Sequence, residues 1–560
     1  MAPINAHHST EQLPTETDVL IVGYGPVGAA MAALLGKYGV RTIVIDRAAN
    51  ILNIPRAVGM DNEGLRIIQM AGLSDTDFEK ISVNKTRMVS SFMGEYAQFN
   101  MTGVINGHAK QVMYFQPDLE KALRKTVKSH TSVQTFTEVE LISLSQKNQS
   151  VNVMVDSAKY GKQQITAKYV IGADGAGSRV RKQLGIEFEG RSYAENWLIV
   201  DAKNLPNMNH HIDFFCGSSR PGPHLPGAGN RQRWEFMLKP EDNPKEMEKP
   251  EKIRELLSKW GDTDQMEIER KAVYQFHARV CSKFHQGRVF LVGDAAHVTP
   301  PFLGQGLVAG LRDAANLSWK LTWVLKGLAD ENILQSYDQE RRPHAIHMIR
   351  LARMLGAFIR PKQDWQAKLA HGTIRMLRLL PPIKDYIDEA KLKPEHHFKT
   401  GLFKNRAKTK LAAHTSFKPG TLMPQGMVRN QSNEILLSDE ALGTSMCLVG
   451  FGEDPANFIE NEEIKRWKSL GGNIIQFSMR SQNTARTEHS SSSQIYEDLT
   501  GLLVPNAKSF GTAAIVRPDR TVLVEGTVSN AGELIKIAIN LLNPPTRKRH
   551  LSHNQQIQAG

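Results

Sequence analysis

Three short stretches combine residue types and spacings that suit the same chemistry. Gly23-Tyr24-Gly25-Pro26-Val27-Gly28 sits between an apolar run and an Ala-rich run. Gly23 permits a tight turn, Gly25 lets the backbone approach a pyrophosphate, and Gly28 lets a helix pack closely on a strand. The pyrophosphate would then meet a helix N-terminus, where N–H groups are unpaired and the dipole is positive. Asp46, at the end of the next apolar run, is placed to accept both hydroxyls of an adenosine ribose. Arg47 beside it suits a 2′-phosphate, or simply flanks the adenosine. This turn alone does not separate FAD from NAD.

The second stretch is Asp174-Gly175, with Ser178 and Arg181 opening the helix that follows. The third is VFLVGDAAHVTPPFLGQGLVAGLRDAANL, residues 289–317. It carries Gly293-Asp294 to the tip of an apolar strand. Pro300-Pro301 stiffens the turn, and Gly304-Gln305-Gly306 leads a helix beginning near Leu307. A carboxylate at a strand tip is a good polyol acceptor, and Asp also caps helices. Glycines at the helix start would let a planar ring approach the backbone, where the helix N-terminus favours negative charge.

Elements must bring these stretches together. Residues 18–22 read as a buried strand, 28–38 as a helix and 41–45 as a second strand, a βαβ unit. Residues 168–175 form another strand and turn. Residues 190–275 hold Pro/Gly-rich turns and alternating segments such as RWEFML, which read as an antiparallel sheet. Residues 307–360 are helical, and 350–390 are basic and amphipathic. The Lys-rich 399–424 stretch reads as a linker or domain entry. Strand-like runs and a helix at 532–542 then form a small α/β domain. The last residues are polar and read as disordered.

Composition bounds the classes. The chain has 560 residues, 41% hydrophobic and 23% charged, with formal net charge +13. That size allows two to four domains. The basic excess fits an anionic ligand or a solvated surface; no nucleic-acid motif accompanies it. Cys216, Cys281 and Cys447 form no C-x-x-C, which argues against a disulfide framework or structural zinc and fits a reducing cytoplasm. No metal-spaced His/Asp/Glu set appears. The N-terminus has no apolar leader core. The run from Val19 to Gly36 carries no charge and approaches the length of a membrane span. Gly23, Gly25, Pro26 and Gly28 interrupt it, so it is expected to fold as strand, turn and helix rather than to cross a membrane.

The order and spacing of the three stretches resemble the signatures of the class A flavoprotein monooxygenases, the para-hydroxybenzoate hydroxylase family. The segments IPRAVGMDNEGLRIIQMAGL (54–73), YFQPDLEKALR (114–124), RWEFML (233–238), YQFHARV (274–280) and 287–321 look like its 3-(3-hydroxyphenyl)propionate hydroxylase group. The resemblance covers about residues 17–390 and implies an α/β fold. A Rossmann-type FAD-binding domain is expected at 1–85, 107–190 and 275–345. An antiparallel-sheet substrate domain is expected at 86–106 and 191–274, and a helical segment at 346–399. The last part, 400–545, resembles the thioredoxin-like domain of these hydroxylases without its C-x-x-C; a polar tail, 546–560, follows.

The resemblance implies tightly bound FAD, with NADH or NADPH as transient donor. It also implies O2 and a small phenolic acid as substrates, hydroxylated through a flavin C4a-hydroperoxide. A homodimer is possible, and neither nucleic acid nor membrane is an expected partner. Another aromatic substrate, or a flavin dehydrogenase that does not use O2, is the alternative. By the resemblance, Asp294 binds the ribityl hydroxyls, Arg56 meets the pyrophosphate, Gln116 lies near the cofactor, and Asp174 serves FAD and the pyridine nucleotide. The same reading sets Gly293, Gly304, Gln305, Gly306 and Leu307 around the flavin and the Pro301 carbonyl beside the substrate. His297 reads as a packed histidine. The base that deprotonates the phenol is open among His277, His224 and Tyr274. Arg231 and Arg233 are candidates for a substrate carboxylate.

Overall fold

The computed structural model describes residues 13–205, 208–389, 396–404, 417–480, 493–505 and 509–544. The polar tail and residues 405–416 of the Lys-rich stretch lie outside them.

The first sheet is built on buried, β-branched strands. Glu16–Val22 pairs in parallel with Thr42–Asp46 and with Gln163–Gly172, and Gln163–Gly172 pairs in parallel with Val289–Leu291. Parallel strands end at one edge. Val22 stands against Ile45 and Gly172, and Gly172 against Leu291. The three chemistry-bearing stretches, far apart in sequence, therefore emerge side by side. Val151–Asp156 and Glu140–Gln146 extend the sheet antiparallel. The Pro26–Lys37 and Gly306–Leu325 helices pack together, with Val27 wedged against Gly293 and Gly310.

The second sheet is antiparallel from Glu267–Cys281 through Phe188–Lys203, Arg231–Met237 and Gly222–Gly227 to Ile212–Cys216. Lys85–Ser90 joins in parallel to Ile212–Cys216, and Gly94–Asn100 closes the edge. Trp234 and Phe236 point to one face, into a core with Leu198, Ile253 and Leu257. Strand alternation sends Arg233 and Glu235 to the other.

A third sheet has a parallel centre of Met446–Phe451, Gly472–Ser478 and Gln494–Asp498, with Thr512–Val516 and Val522–Thr527 antiparallel beside it. Its core takes in Trp319 and Trp323 from the Gly306–Leu325 helix. Among the described residues no helix is long and apolar enough to cross a membrane, and no His/Cys/Asp/Glu group could hold a metal ion.

Candidate active site

The first sheet's carboxyl edge and the second sheet's open face enclose a cavity of about 1450 Å3. A drug-sized ligand needs roughly 300–1,000 Å3, so this space has room for a dinucleotide and a second molecule. Gly23, Gly25, Asp46, Arg47, Arg56, Gln116, Asp174, Asp294, Pro301, Gly304, Gln305, Gly306 and Leu307 all line it.

The glycines do three different jobs. Gly23 has φ +107°, and a Cβ there would lie 2.4 Å from the Ala173 oxygen. A Cβ on Gly28 would lie 2.0 Å from the Gly23 oxygen, so Gly28 packs the helix and does not line the cavity. At Gly25, Gly304 and Gly306 a Cβ would meet no protein atom within 4 Å. These three leave open space where the cavity runs. Gly293 does not line it either: its φ is +60° and it packs on Val27.

The carboxylates are held differently. Asp46 accepts the Tyr24 N–H at 2.6 Å and the Ala48 N–H at 2.7 Å, so it is oriented in advance. Asp174 accepts the Ser178 hydroxyl at 2.5 Å and the N–H groups of Arg179 and Val180. Its carboxylate is engaged by its own turn, although the residue lines the cavity. Burial raises its pKa against those hydrogen bonds. Asp294 is half-buried and accepts no hydrogen bond from a described residue. Burial pushes its pKa up, opposed by His297 and Arg56. An unpartnered carboxylate beside open backbone suits a ligand rich in hydroxyls.

Gln116 Oε1 accepts the N–H groups of Arg56 at 3.0 Å and Ala57 at 2.8 Å, which pins the loop carrying the Arg56 side chain. The Gln305 side chain is buried and engaged, bridging Asp61 at 2.8 Å and Arg312 at 3.0 Å. Only its backbone is left for a ligand. No side chain caps the Gly306–Leu325 helix, so its first N–H groups face the cavity unpaired. His297 is buried and bonded through Nε2 to Asp313 at 2.7 Å. Asp313 also takes the Gly293 N–H at 2.9 Å and Arg341 Nε at 2.8 Å. Arg181 spans two of the stretches, reaching the carbonyls of Ala176 and Ala295.

Several expectations are corrected here. His277 does not line the cavity. Phe276 on the same strand packs against Trp197 and Phe302. His277 points the other way and meets Ser192 at 2.9 Å. His224 is stacked on Trp234 at 4.7 Å, bonded to Gln232, and held near pKa 4 by burial. Tyr274 receives a hydrogen bond from Arg270. None of the three is placed as the base. Arg233 lines the cavity, but its guanidinium is engaged. It grips Asp201 through Nε at 2.6 Å and Nη2 at 3.0 Å, and reaches the carbonyls of Pro55 and Arg56. It clamps the 55–56 loop rather than reading a carboxylate. Arg231 is paired with Glu269 and stacked on Phe115.

The sequence reading missed Lys110, which lines the cavity and contacts Glu389 Oε2 at 3.1 Å. It also missed Asp201, Asp313 and Glu235. The only signal for Asp313 was a charged pair, Arg312-Asp313, inside an apolar helix. Phe417, Lys418, Thr421, Leu422 and Pro424 of the C-terminal part add a further piece of wall.

A parallel sheet with a dinucleotide cradle at its edge, facing an apolar chamber on a second sheet, defines a dinucleotide-binding protein with room for a second ligand beside its cofactor. The chain belongs to the FAD binding domain family, which matches residues 16–352, and is a flavin-dependent aromatic monooxygenase. It is 34% identical over 518 residues to the 3-(3-hydroxy-phenyl)propionate/3-hydroxycinnamic acid hydroxylase of Burkholderia cenocepacia, covering 91% of this chain and 94% of that protein. The enzyme of the same name from Comamonas testosteroni is 30% identical, covering 97% and 100%. The HcaD C-terminal domain family matches residues 420–539. Similar solved structures share the fold. The flavin-dependent monooxygenase PieE has TM-score 0.75 at 21% identity, covering 94% of this chain and 99% of its own. Aklavinone-11 hydroxylase has TM-score 0.73 at 21% identity, covering 95% and 100%.

Proposed function

We propose that this enzyme hydroxylates a phenolic acid of the 3-(3-hydroxyphenyl)propionate or 3-hydroxycinnamate type at a ring carbon beside the existing hydroxyl. The observation that carries the reading is the one-third identity, along nearly the whole chain, to hydroxylases so named. The cavity agrees with it. FAD held there, reduced by NAD(P)H and reoxidised by O2, supplies an electrophilic oxygen atom. Asp46 would take the ribose, Asp294 the ribityl chain, and the Gly306 helix start the flavin edge. Pro301 and Phe302 wall the ring's approach. Beyond them Met88, Phe214, Pro223, Leu225 and Met113 line an apolar chamber that excludes water from the oxygen transfer.

Arg231 does not line the cavity and Arg233 is buried on Asp201 and the 55–56 loop, so we assign the substrate carboxylate to Lys110, which lines the cavity and, among the described residues, is ion-paired there only with the exposed Glu389. Lys110→Met is expected to raise KM for phenylpropionates about tenfold, a loss of roughly 1.4 kcal/mol, while leaving kcat and simple-phenol turnover little changed. The test of the whole reading is NADH oxidation and product mass over hydroxyphenylpropionates, hydroxycinnamates, simple phenols and indole acids. Oxygen consumption that depends on the phenolic acids supports it. Turnover of another class, or none, overturns it.

We further propose the domain division drawn from the sequence, a cytoplasmic setting and a homodimer. The 400–545 part we read as thioredoxin-like without redox chemistry. Its single Cys447 is buried, burial pushes its pKa up to about 12, and the thiol donates to the Leu442 carbonyl.

A further inference from the structure

The cavity floor can be read as two rows across the second sheet. One row runs Thr86, Ile212, Leu225, Arg233, Asp201, Arg270. The next runs Met88, Phe214, Pro223, Glu235, Ile199. The first row holds paired charges. The second is apolar except for one acid. Glu235 is 7% exposed and lines the cavity, and its carboxylate accepts no hydrogen bond from a described residue. The Arg233 guanidinium stands 4.0 Å away, already committed to Asp201 and the loop carbonyls. A buried carboxylate with a distant cation and no hydrogen bond costs stability and persists where something else uses it.

We propose that Glu235 is the catalytic base that takes the substrate's phenolic proton, a role that rests on the phenolic reading above. As oxygen attaches to the ring, the phenolic O–H bond breaks and its proton moves to a carboxylate oxygen of Glu235. The freed electron pair enters the ring, and the ortho carbon forms the new C–O bond as the O–O bond of the reduced dioxygen breaks and its second oxygen leaves as water. The oxidant is O2, reduced by NAD(P)H through FAD. The resulting ring ketone regains aromaticity when the ortho carbon loses its hydrogen as a proton and the ketone oxygen recovers one from Glu235. Burial holds this carboxyl above its ordinary range. Arg233 and Arg270 oppose that, and Asp201 adds to it. The apolar neighbours Pro223 and Ile199 contribute no charge. A base shifted upward in a dry pocket is better matched to a phenol than an exposed carboxylate is.

The experiment uses the FAD-loaded full chain, with rates expressed per bound flavin. Glu235→Gln keeps shape and removes the base. It is expected to hydroxylate about 100-fold more slowly at neutral pH, the lower end of general-base effects, while still oxidising NADH and releasing H2O2. Its rate should climb with pH toward the phenol's own ionisation, about 10, where the wild type has levelled off. Ring-fluorinated substrates with more acidic hydroxyls should recover the variant more than the wild type. A variant with wild-type rate and profile overturns the proposal. So does a slow variant with an unchanged pH profile and no gain from acidic phenols, which would mark Glu235 as structural. A wild type that hydroxylates no phenol overturns the functional reading, and the proposal with it.

Discussion

Asp46 and Asp294 both end strands of one sheet, yet only Asp46 has its oxygens held by backbone N–H groups. Asp294 accepts no hydrogen bond from a described residue, and burial raises its pKa. Asp294→Asn should therefore separate binding from folding. Hydrogen bonds to a charged acceptor contribute about 1.5–3 kcal/mol, so FAD affinity should fall roughly 10- to 100-fold in a fluorescence titration. A carboxyl whose folded pKa is raised withdraws stability as pH rises through that range. The FAD-free variant should therefore melt no lower than the wild type at pH 7, and unchanged FAD affinity would remove Asp294 from the site. Arg233 is the opposite case. Arg233→Lys cannot reproduce a fork that grips Asp201 and two loop carbonyls together. It is expected to lower both Tm and flavin content by loosening residues 55–56.

The dinucleotide turn shows how one element divides its labour. Gly28→Ala would drive a Cβ to 2.0 Å of the Gly23 oxygen and should cost folding outright. Gly25→Ala meets no protein atom, so the protein should fold and melt normally without FAD yet copurify with little flavin. Equal melting temperatures for the two variants without FAD would contradict this division. The turn was legible in the sequence because glycine spacing, an apolar run and Asp46 all lie within one βαβ unit. The carboxyl-end convergence of the other stretches was legible for the same local reason: each apolar run ends in Asp. The second sheet was legible as antiparallel strands but not in its facing. The alternation in RWEFML announced a strand, but not which face met the cavity. Arg233's partner Asp201 lies 32 residues away, and the loop it clamps lies 177–178 residues away. A charge whose partner sits on a neighbouring strand looks free in a sequence. His277 looked available for the same reason, since one step along a strand reverses its face.

At the scale of the molecule, the C-terminal part braces the flavin site chiefly at the far end of one helix. Gly306–Leu325 starts at the cavity and runs roughly 20 Å to Lys320, which is fully buried. There Glu340 Oε2 accepts from Lys320 at 2.8 Å. Glu340 also takes Arg517 at 2.7 and 2.9 Å and the Leu402 N–H at 2.7 Å. Trp319 and Trp323 enter the core beneath the third sheet. A second tie, Arg66 to Asp439 at 2.7 Å, is equally buried. Burial alone would raise the Glu340 pKa, but Arg517 and Lys320 overcome it and hold the carboxyl below its ordinary 4.5. A depressed acid stabilises the fold above its unfolded pKa and loses that contribution as pH falls through the carboxylate range. Glu340→Gln strands two buried cations, which costs about 3–5 kcal/mol. The variant should melt well below the wild type at pH 7 and lose FAD on dilution, and the gap in Tm should narrow as pH is lowered through 4.5. A gap constant over that range would mean that the bridge does not join the C-terminal part to the flavin helix energetically.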